Sequence, residues 1–171
     1  MTKVDVFELA RAGGRVDGEL EIARLARLAA MLARPGGRLR FGLAGCIDEH
    51  GRPAAHLDLE AELVLRCDRC GGEVAWTLAG RLGYFFVASE AELNALPIEA
   101  DGDEALLGGA AFDVEQLVED EAILQLPMSP RHLRCPPGAA RGEDGVGTPA
   151  ERRRPFEALA GLRGRRDKGG N

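Results

Sequence analysis

The chain has 171 residues and a formal net charge of −6, a length typical of one domain with extensions. No apolar stretch approaches the roughly 20 residues of a membrane span, and residues 1–5 lack the basic and then apolar pattern of a secretory signal peptide. We therefore expect a protein of the cytoplasm that does not act at a membrane. In that compartment its four cysteines serve as thiols or metal ligands rather than as disulfides.

The charges are unevenly distributed along the chain. Residues 82–130 contain eleven acidic residues and no Lys or Arg, whereas residues 151–171 carry a net charge of +4 and leave −10 for the rest. This asymmetry has two interpretations. In the first, the acidic body and the basic tail are simply solvated. In the second, the tail is an arm that contacts phosphates, and an acidic face of the body contacts a basic partner. In the second interpretation the predicted RNA contacts are the arginines of the tail: Arg152, Arg153, Arg154, Arg163, Arg165 and Arg166.

The N-terminal part of the chain predicts one strand and one helix. Residues 4–9 alternate between apolar and polar types, which is typical of a short strand. A helix is expected from near Glu19 to the stop signal at residues 34–37, Arg-Pro-Gly-Gly. Its apolar stripe is interpreted as core packing and consists of Ile22, Leu25, Leu28 and Leu32.

Three long strand-like runs follow, at residues 39–45, 57–65 and 74–87. Polar turns at His50-Gly51 and at residues 67–72 connect them, so we expect adjacent antiparallel hairpins. The predicted fold class is α+β, with a mainly antiparallel sheet of long hairpin strands. An N-terminal helix and a C-terminal acidic helix pack with this sheet, and a flexible tail follows.

The acidic helix is predicted from its end signals. Asp113, with Gln116 three residues later, is similar to a capping box, and Pro127 ends the helix. A brief edge strand is expected before it, at residues 97–100. The helix carries an acidic triplet that cannot lie wholly on the solvent side, so at least one carboxylate is expected at the edge of the core. The alternative is a solvated run of charges. The triplet is Glu119, Asp120 and Glu121.

The domain organisation is expected to divide near residue 135. Residues 1–135 form one α+β domain, and residues 136–171 form a Pro- and Gly-rich linker with a basic tail. Apolar residues three apart make a short amphipathic motif in that tail: Phe156, Leu159 and Leu162. A helix this short is not stable alone in water, so the motif is expected to dock on the body or fold on a partner.

The cysteines provide the clearest chemical pattern. Cys67 and Cys70 lie three apart in the turn between two strands, and His132 and Cys135 repeat that spacing. Together they are a candidate Cys₃His zinc site of the closed structural type. Three alternatives stay open, namely ordinary turn residues, a degenerate site, and a redox dithiol, which requires the motif at a helix start. Cys46 is interpreted as a small core residue.

No pattern indicates catalysis. The chain has no nucleophile elbow, no phosphate-binding glycine loop and no His-Glu pair on a helix. His50 and His56 flank a hairpin turn and are expected to be exposed, and the acidic triplet has no recognisable basic partner. We therefore predict a protein that is not an enzyme.

Four segments, taken in order, resemble the YceD family, the large ribosomal RNA subunit accumulation proteins. They are the corner Cys67-Asp68-Arg69-Cys70, residues 117–127 (Leu-Val-Glu-Asp-Glu-Ala-Ile-Leu-Gln-Leu-Pro), His132-x-x-Cys135, and residues 155–162 (Pro-Phe-Glu-Ala-Leu-Ala-Gly-Leu). The resemblance implies a role in accumulation of 23S ribosomal RNA, with the acidic triplet as a partner-facing or structural signature. Some relatives carry a second Cys-x-x-Cys where this chain has His132 and Cys135.

The sequence is therefore compatible with two functions. The first is a non-enzymatic factor for large-subunit assembly, whose partners are ribosomal RNA or assembly intermediates and a basic ribosomal protein. The second is a small zinc-dependent module that binds a protein partner and does not act on RNA.

Overall fold

The computed structural model describes residues 3–97 and 103–136. In chain order the elements are β1 (Lys3–Val4), α1 (Val6–Ala12), β2 (Arg15–Glu21), a 3₁₀ turn (Ile22–Arg24), α2 (Ala26–Met31), β3 (Arg38–Ile47), β4 (Pro53–Arg66), β5 (Glu73–Val87), α3 (Glu90–Ala95), β6 (Glu104–Leu107), β7 (Phe112–Asp113) and α4 (Val114–Leu124). None of the described helices is both long and apolar enough to span a lipid bilayer.

The centre of the fold is a five-stranded sheet in the order β2-β3-β4-β5-β6. The first four strands are antiparallel neighbours, and β6 runs parallel to β5. The short strands β1 and β7 pair separately and bring the N-terminal segment next to the start of α4. The predicted class, α+β with a mainly antiparallel sheet, an N-terminal helix and a C-terminal acidic helix, is confirmed.

The core lies on one face of this sheet. Alternate residues of β3 and β4 point to that face because side chains in a strand alternate with a period of two. They pack with the apolar sides of α1, α2 and α4. The fully buried residues of this layer include Val6, Leu28, Leu39, Leu43, Leu57, Leu63, Leu78, Val114 and Val118. The opposite face carries cross-strand ion pairs such as Arg40–Glu60.

The predicted secondary structure of residues 4–37 is wrong except at α2. Of the predicted first strand, residues 4–9, only Val4 lies in a strand. The Asp5 carboxylate accepts hydrogen bonds from the N–H groups of Phe7 and Glu8 and starts α1. Residues 15–21 are the strand β2, paired with β3 along its whole length. The helix expected from Glu19 is therefore reduced to α2.

The core interpretation of the apolar stripe nevertheless holds, since its fourth member, Leu32, is partly buried and packs against the same core. Ile22, Leu25 and Leu28 are buried. The 3₁₀ turn followed by a short helix presents them at nearly the spacing that a continuous helix would.

The three long runs are strands with the predicted hairpins, each longer than the apolar pattern alone indicated. One backbone contact fixes how α1 lies on β3. A Cβ on Gly45 would overlap the carbonyl oxygen of Leu9, so only glycine allows the helix to come this close.

The region after β5 holds elements that the sequence pattern did not predict. The helix α3 begins at Ser89, whose hydroxyl accepts a hydrogen bond from the Glu92 N–H at 3.2 Å. Among the described residues, β6 is the edge strand next to β5, whereas a brief edge strand was expected at residues 97–100. Of those four residues Pro97 is not in a strand, and 98–100 lie outside the described residues. The helix α4 has the predicted cap, since Asp113 accepts from the Gln116 N–H at 3.1 Å.

Candidate metal centre

The β4–β5 hairpin turn places two thiols on one side of the chain. Cys67 N–H donates to the Gly72 carbonyl at 2.7 Å, and Gly71 N–H donates back to the Cys67 carbonyl at 2.8 Å. Gly71 has a φ of 72°, a left-handed conformation that other residues adopt only with strain. The turn is therefore tight, and Cys67 and Cys70 point to the same site.

A second segment, at residues 127–136, is attached to this turn by its own hydrogen bonds. Asp68 N–H donates to the Pro130 carbonyl at 2.9 Å, and the Ser129 hydroxyl donates to the Asp68 carboxylate at 2.6 Å. Arg131 Nε in turn donates to the Ser129 oxygen at 3.0 Å. These contacts hold the segment in a position from which His132 and Cys135 reach the two thiols.

The four ligand atoms of Cys67, Cys70, His132 and Cys135 lie within 4.8 Å of one another. The Cys67 and Cys135 sulfurs are 3.9 Å apart, and the Cys70 sulfur is 3.4 Å from His132 Nδ1. Tetrahedral zinc, with Zn–S near 2.3 Å and Zn–N near 2.05 Å, requires separations of about 3.8 Å and about 3.6 Å for such pairs. These two separations therefore fit a tetrahedral zinc ion.

The orientation of His132 selects the ligating nitrogen. Its Nε2 lies 2.7 Å from the Glu73 carbonyl oxygen, and because a carbonyl can only accept, Nε2 carries the hydrogen. In the neutral ring Nδ1 then has a free electron pair, and Nδ1 is the atom that faces Cys70. A backbone acceptor that fixes the tautomer in this way is typical of histidines that bind metals.

The electrostatics of the thiols agree with a metal site. Burial raises the pKa of Cys67, but the backbone N–H groups of His132, Cys70 and Arg69 outweigh it and lower that pKa from 9.0 to about 5. Burial and the neighbouring sulfurs of Cys70 and Cys67 raise the pKa of Cys135. One thiolate thus exists at neutral pH, and a cation would compensate the crowding of sulfurs around it.

The described residues contain no second group of three or more such ligands that could hold a metal. The thioredoxin-like alternative does not fit the geometry, because the Cys67–Cys70 turn joins two strands and does not begin a helix. Cys46 is half-buried rather than a full core residue. His50 is exposed as expected, whereas His56 is half-buried.

The acidic triplet divides into three different environments. Glu119 accepts hydrogen bonds from Arg27 N–H at 2.8 Å and Leu28 N–H at 3.2 Å, so it caps the N-terminus of α2. The Arg27 guanidinium also bonds both Glu119 and Asp120. Glu121 is only 5% exposed, which confirms that one carboxylate lies at the core. Asp120 is the most accessible member of the triplet.

Sequence reasoning missed the basic partner of the triplet. Arg27 lies 92 residues before Glu119, and no local pattern links the two. The supporting pair Asp68 and Ser129 was also missed, although both side chains lie within three residues of predicted ligands. The predicted site residues of the tail, which are Phe156, Leu159, Leu162, Arg152, Arg153, Arg154, Arg163, Arg165 and Arg166, lie outside the described residues.

Comparisons with known proteins give one match. Neither the curated proteins nor the solved structures yielded a similar protein. The family model described as large ribosomal RNA subunit accumulation protein YceD matches residues 55–163. That range includes β5, α4, most of β4 and all four ligands of the candidate metal centre, and it is more than half of the chain. The chain therefore belongs to the YceD family.

Proposed function

We propose that this protein is a non-enzymatic factor in assembly of the large ribosomal subunit, which supports accumulation or processing of 23S ribosomal RNA. The observation that carries the proposal is membership of the YceD family over residues 55–163. The family description names large ribosomal RNA subunit accumulation and no chemical reaction.

The charge distribution supports two separate contacts for such a factor. Exposed carboxylates are concentrated on α3 and at the start of β6: Glu90, Glu92, Asp103 and Glu104. In the sequence they belong to residues 82–130, which contain no Lys or Arg. This surface suits a basic ribosomal protein, while the arginines of residues 152–166 suit RNA phosphates. This acidic surface is more accessible than the acidic triplet, in which Glu119 and Asp120 are bonded to Arg27 and Glu121 is buried.

The proposal is tested in a strain that lacks the gene. Sucrose-gradient fractionation is expected to show less mature large subunit, and electrophoresis is expected to show reduced or unprocessed 23S RNA. Complementation with the intact gene is the control. Large-subunit and 23S levels equal to those of the parent strain would reject the role in ribosome assembly.

We further propose that Cys67, Cys70, His132 and Cys135 bind one structural zinc ion. All four positions are filled by protein ligands, which is typical of closed structural sites and leaves no open position for a substrate. Zinc would attach residues 127–136 to the β4–β5 hairpin. The second candidate function is a zinc-dependent module that binds a protein. The candidate metal centre is the observation that favours it.

Metal analysis tests the zinc site, and a pulldown distinguishes the two candidate functions. Protein purified without chelator is expected to contain about one zinc per chain, and the Cys67→Ser variant much less, with a lower melting temperature. Cys46→Ser, which alters a half-buried cysteine outside the centre, is the matched control. Less than about a tenth of a zinc per chain would reject the metal. Recovery of a single non-ribosomal protein from cells would favour the second function.

A further inference from the structure

Each ligand of the candidate metal centre is preceded in the chain by an arginine. The hairpin turn reads Arg-Cys-Asp-Arg-Cys over residues 66–70, and the second segment reads Arg-His-Leu-Arg-Cys over residues 131–135. All four arginines are exposed, and the two pairs are more than 60 residues apart in the chain. We call them the metal-centre arginines: Arg66, Arg69, Arg131 and Arg134.

The candidate metal centre brings the two pairs to one part of the surface. Its four ligand atoms lie within 4.8 Å of one another, and the Cα atom of each arginine is only about 3.8 Å from the Cα atom of a ligand. The four arginine Cα atoms are therefore no more than about 20 Å apart. Four positive charges that are distant in sequence thus start from one small area.

The charges of these arginines are not paired within residues 3–97 and 103–136. In those ranges none of the metal-centre arginines forms an ion pair with a carboxylate, whereas every other arginine except Arg11 and Arg24 does so. Most of the unpaired arginines of the described chain are therefore concentrated around a single site.

The two carboxylates near this site in the sequence already have other partners. Asp68 accepts a hydrogen bond from the Ser129 hydroxyl at 2.6 Å. Glu73 lies opposite Arg66 in the β4–β5 hairpin, but its carboxylate contacts Arg34 at 2.6 Å. A zinc ion with three thiolates would add only about one negative charge. The site therefore keeps an excess of positive charge on a chain whose net charge is −6.

Two of the metal-centre arginines are held in place by neutral acceptors. Arg66 Nη1 donates to the Gly71 carbonyl at 3.2 Å, and Arg131 Nε donates to the Ser129 hydroxyl oxygen at 3.0 Å. Since a guanidinium has five N–H donors, each of these side chains keeps most of its donors for a ligand. A positioned guanidinium with free donors and an unneutralised charge is well suited to bind phosphate oxygens in a bidentate manner.

We propose that the metal-centre arginines form one surface that binds phosphates of ribosomal RNA, and that the candidate metal centre holds the two halves of this surface together. RNA presents its phosphates as a continuous array, and a cluster of basic side chains on one face is the feature that binds such an array. The choice of RNA over an acidic protein rests on the proposed function. This contact is separate from the one assigned to the arginines of residues 152–166.

The first experiment measures binding of the full chain to 23S RNA in a salt series. Arg69→Gln with Arg134→Gln removes two side chains that form no hydrogen bond or ion pair in the described ranges, so the fold is preserved. The slope of log affinity against log salt is expected to become shallower by about 1.4–1.8, at roughly 0.7–0.9 for each phosphate. Arg11→Gln with Arg24→Gln removes the same charge from two exposed, unpaired arginines outside the site and is expected to keep the slope.

Three outcomes of this experiment would overturn the proposal. The first is an equal slope for wild type and the Arg69→Gln, Arg134→Gln variant, which would leave RNA binding to other residues. The second is a wild-type chain that does not bind 23S RNA, and the role in ribosome assembly is then still decided by the deletion strain. The third is poly-glutamate bound as tightly as the RNA and weakened by the same variant, which would assign the surface to an acidic protein.

The second experiment tests whether the metal centre joins the two halves. Cys135→Ser removes a ligand and keeps all four arginines. It is expected to weaken RNA binding and to make the salt slope shallower, because the second segment loses its attachment through the metal to the hairpin turn. Cys46→Ser, outside the centre, is the control, and circular dichroism verifies that both variants keep the sheet. An RNA affinity of Cys135→Ser equal to that of wild type would overturn this role of the metal centre.

Discussion

At the scale of single residues, Glu121 is the most unusual group in the described part of the protein. Burial raises the pKa of its carboxyl, and contact with the Tyr84 hydroxyl lowers it. The charges of Glu104 and Asp120 also raise the pKa, and the net effect is an increase. Among the described residues no group completes a well-formed hydrogen bond to the Tyr84 hydroxyl, so that contact compensates the burial only in part. The folded state therefore favours the protonated carboxyl.

This leads to a prediction for Glu121→Gln. A carboxyl whose pKa is higher in the folded than in the unfolded state destabilises the fold as pH rises above the unfolded value near 4.5. The variant removes this penalty, so its free energy of unfolding relative to wild type is expected to increase from about pH 4 to about pH 7. Each unit of pKa difference between the two states is worth about 1.4 kcal/mol.

Urea unfolding at a series of pH values measures the effect. Glu60→Gln is the matched control, because Glu60 lies on the opposite face of the sheet and 68% of its side chain is exposed. A difference between Glu121→Gln and wild type that stays constant from about pH 4 to about pH 7 would contradict the prediction.

The triplet also shows how much of a residue's environment can be predicted from the sequence. Helical periodicity required that one of three consecutive carboxylates approach the core, and Glu121 does. Periodicity could not identify the cap formed by Glu119, because its donors, the N–H groups of Arg27 and Leu28, come from a helix more than 90 positions earlier. Binding of a partner by the triplet stays a prediction.

At the scale of elements, the contact between α2 and α4 depends on Glu119. The residue before α2, Leu25, provides no side-chain cap, and the Glu119 carboxylate supplies one from α4. Burial raises the pKa of Glu119, but hydrogen bonds from the Arg27 side chain and from the N–H groups of Leu28 and Arg27 outweigh it, so the pKa is lowered from 4.5. Stability from Glu119 is therefore present above that unfolded value and is lost as pH falls through the folded pKa.

Removal of this cap is expected to destabilise the protein. Glu119→Ala leaves two N–H groups without an acceptor and should lower the free energy of unfolding by about 1–3 kcal/mol. Glu119→Gln keeps one acceptor oxygen and should cost less. Arg27→Met keeps the acceptor of both N–H groups and removes only the ion pairs with Glu119 and Asp120, so it should cost less than Glu119→Ala. Thermal and urea denaturation rank the three variants, and a larger loss for Arg27→Met than for Glu119→Ala would show that the ion pair dominates.

Element prediction succeeded where the pattern was long. β3, β4 and β5 span ten or more residues each, and alternation with a period of two over that length rarely arises outside a strand. The N-terminal prediction failed because the elements there are six or seven residues long. Capping by Asp5, rather than periodicity, starts α1. The parallel pairing of β6 could not be predicted, because four residues without regular alternation give no indication of direction.

At the scale of the whole molecule, the candidate metal centre connects distant parts of the chain. Spacing predicted the four ligands, and the structure brings them together although Cys70 and His132 are 62 residues apart. The spacing of the predicted ligands did not reveal the hydrogen bonds that support them. Asp68 bonds residues 129 and 130 and fixes the second segment, and the Glu73 carbonyl fixes the tautomer of His132. Those bonds depend on backbone groups, which spacing does not report.

The last prediction concerns the arginines of the C-terminal segment. If Arg152, Arg153 and Arg154 contact RNA phosphates, their joint replacement by Ala should weaken binding of 23S RNA because each contact releases counterions from the RNA. The slope of log affinity against log salt should become shallower by about 2–3, at roughly 0.7–0.9 for each phosphate that is no longer neutralised. Replacement by Lys keeps the charges and should preserve the slope. Fluorescence anisotropy in a salt series measures both quantities. An unchanged slope in the Ala variant would exclude these three arginines as RNA contacts and direct attention to the acidic surface of α3 and β6 and to a protein partner.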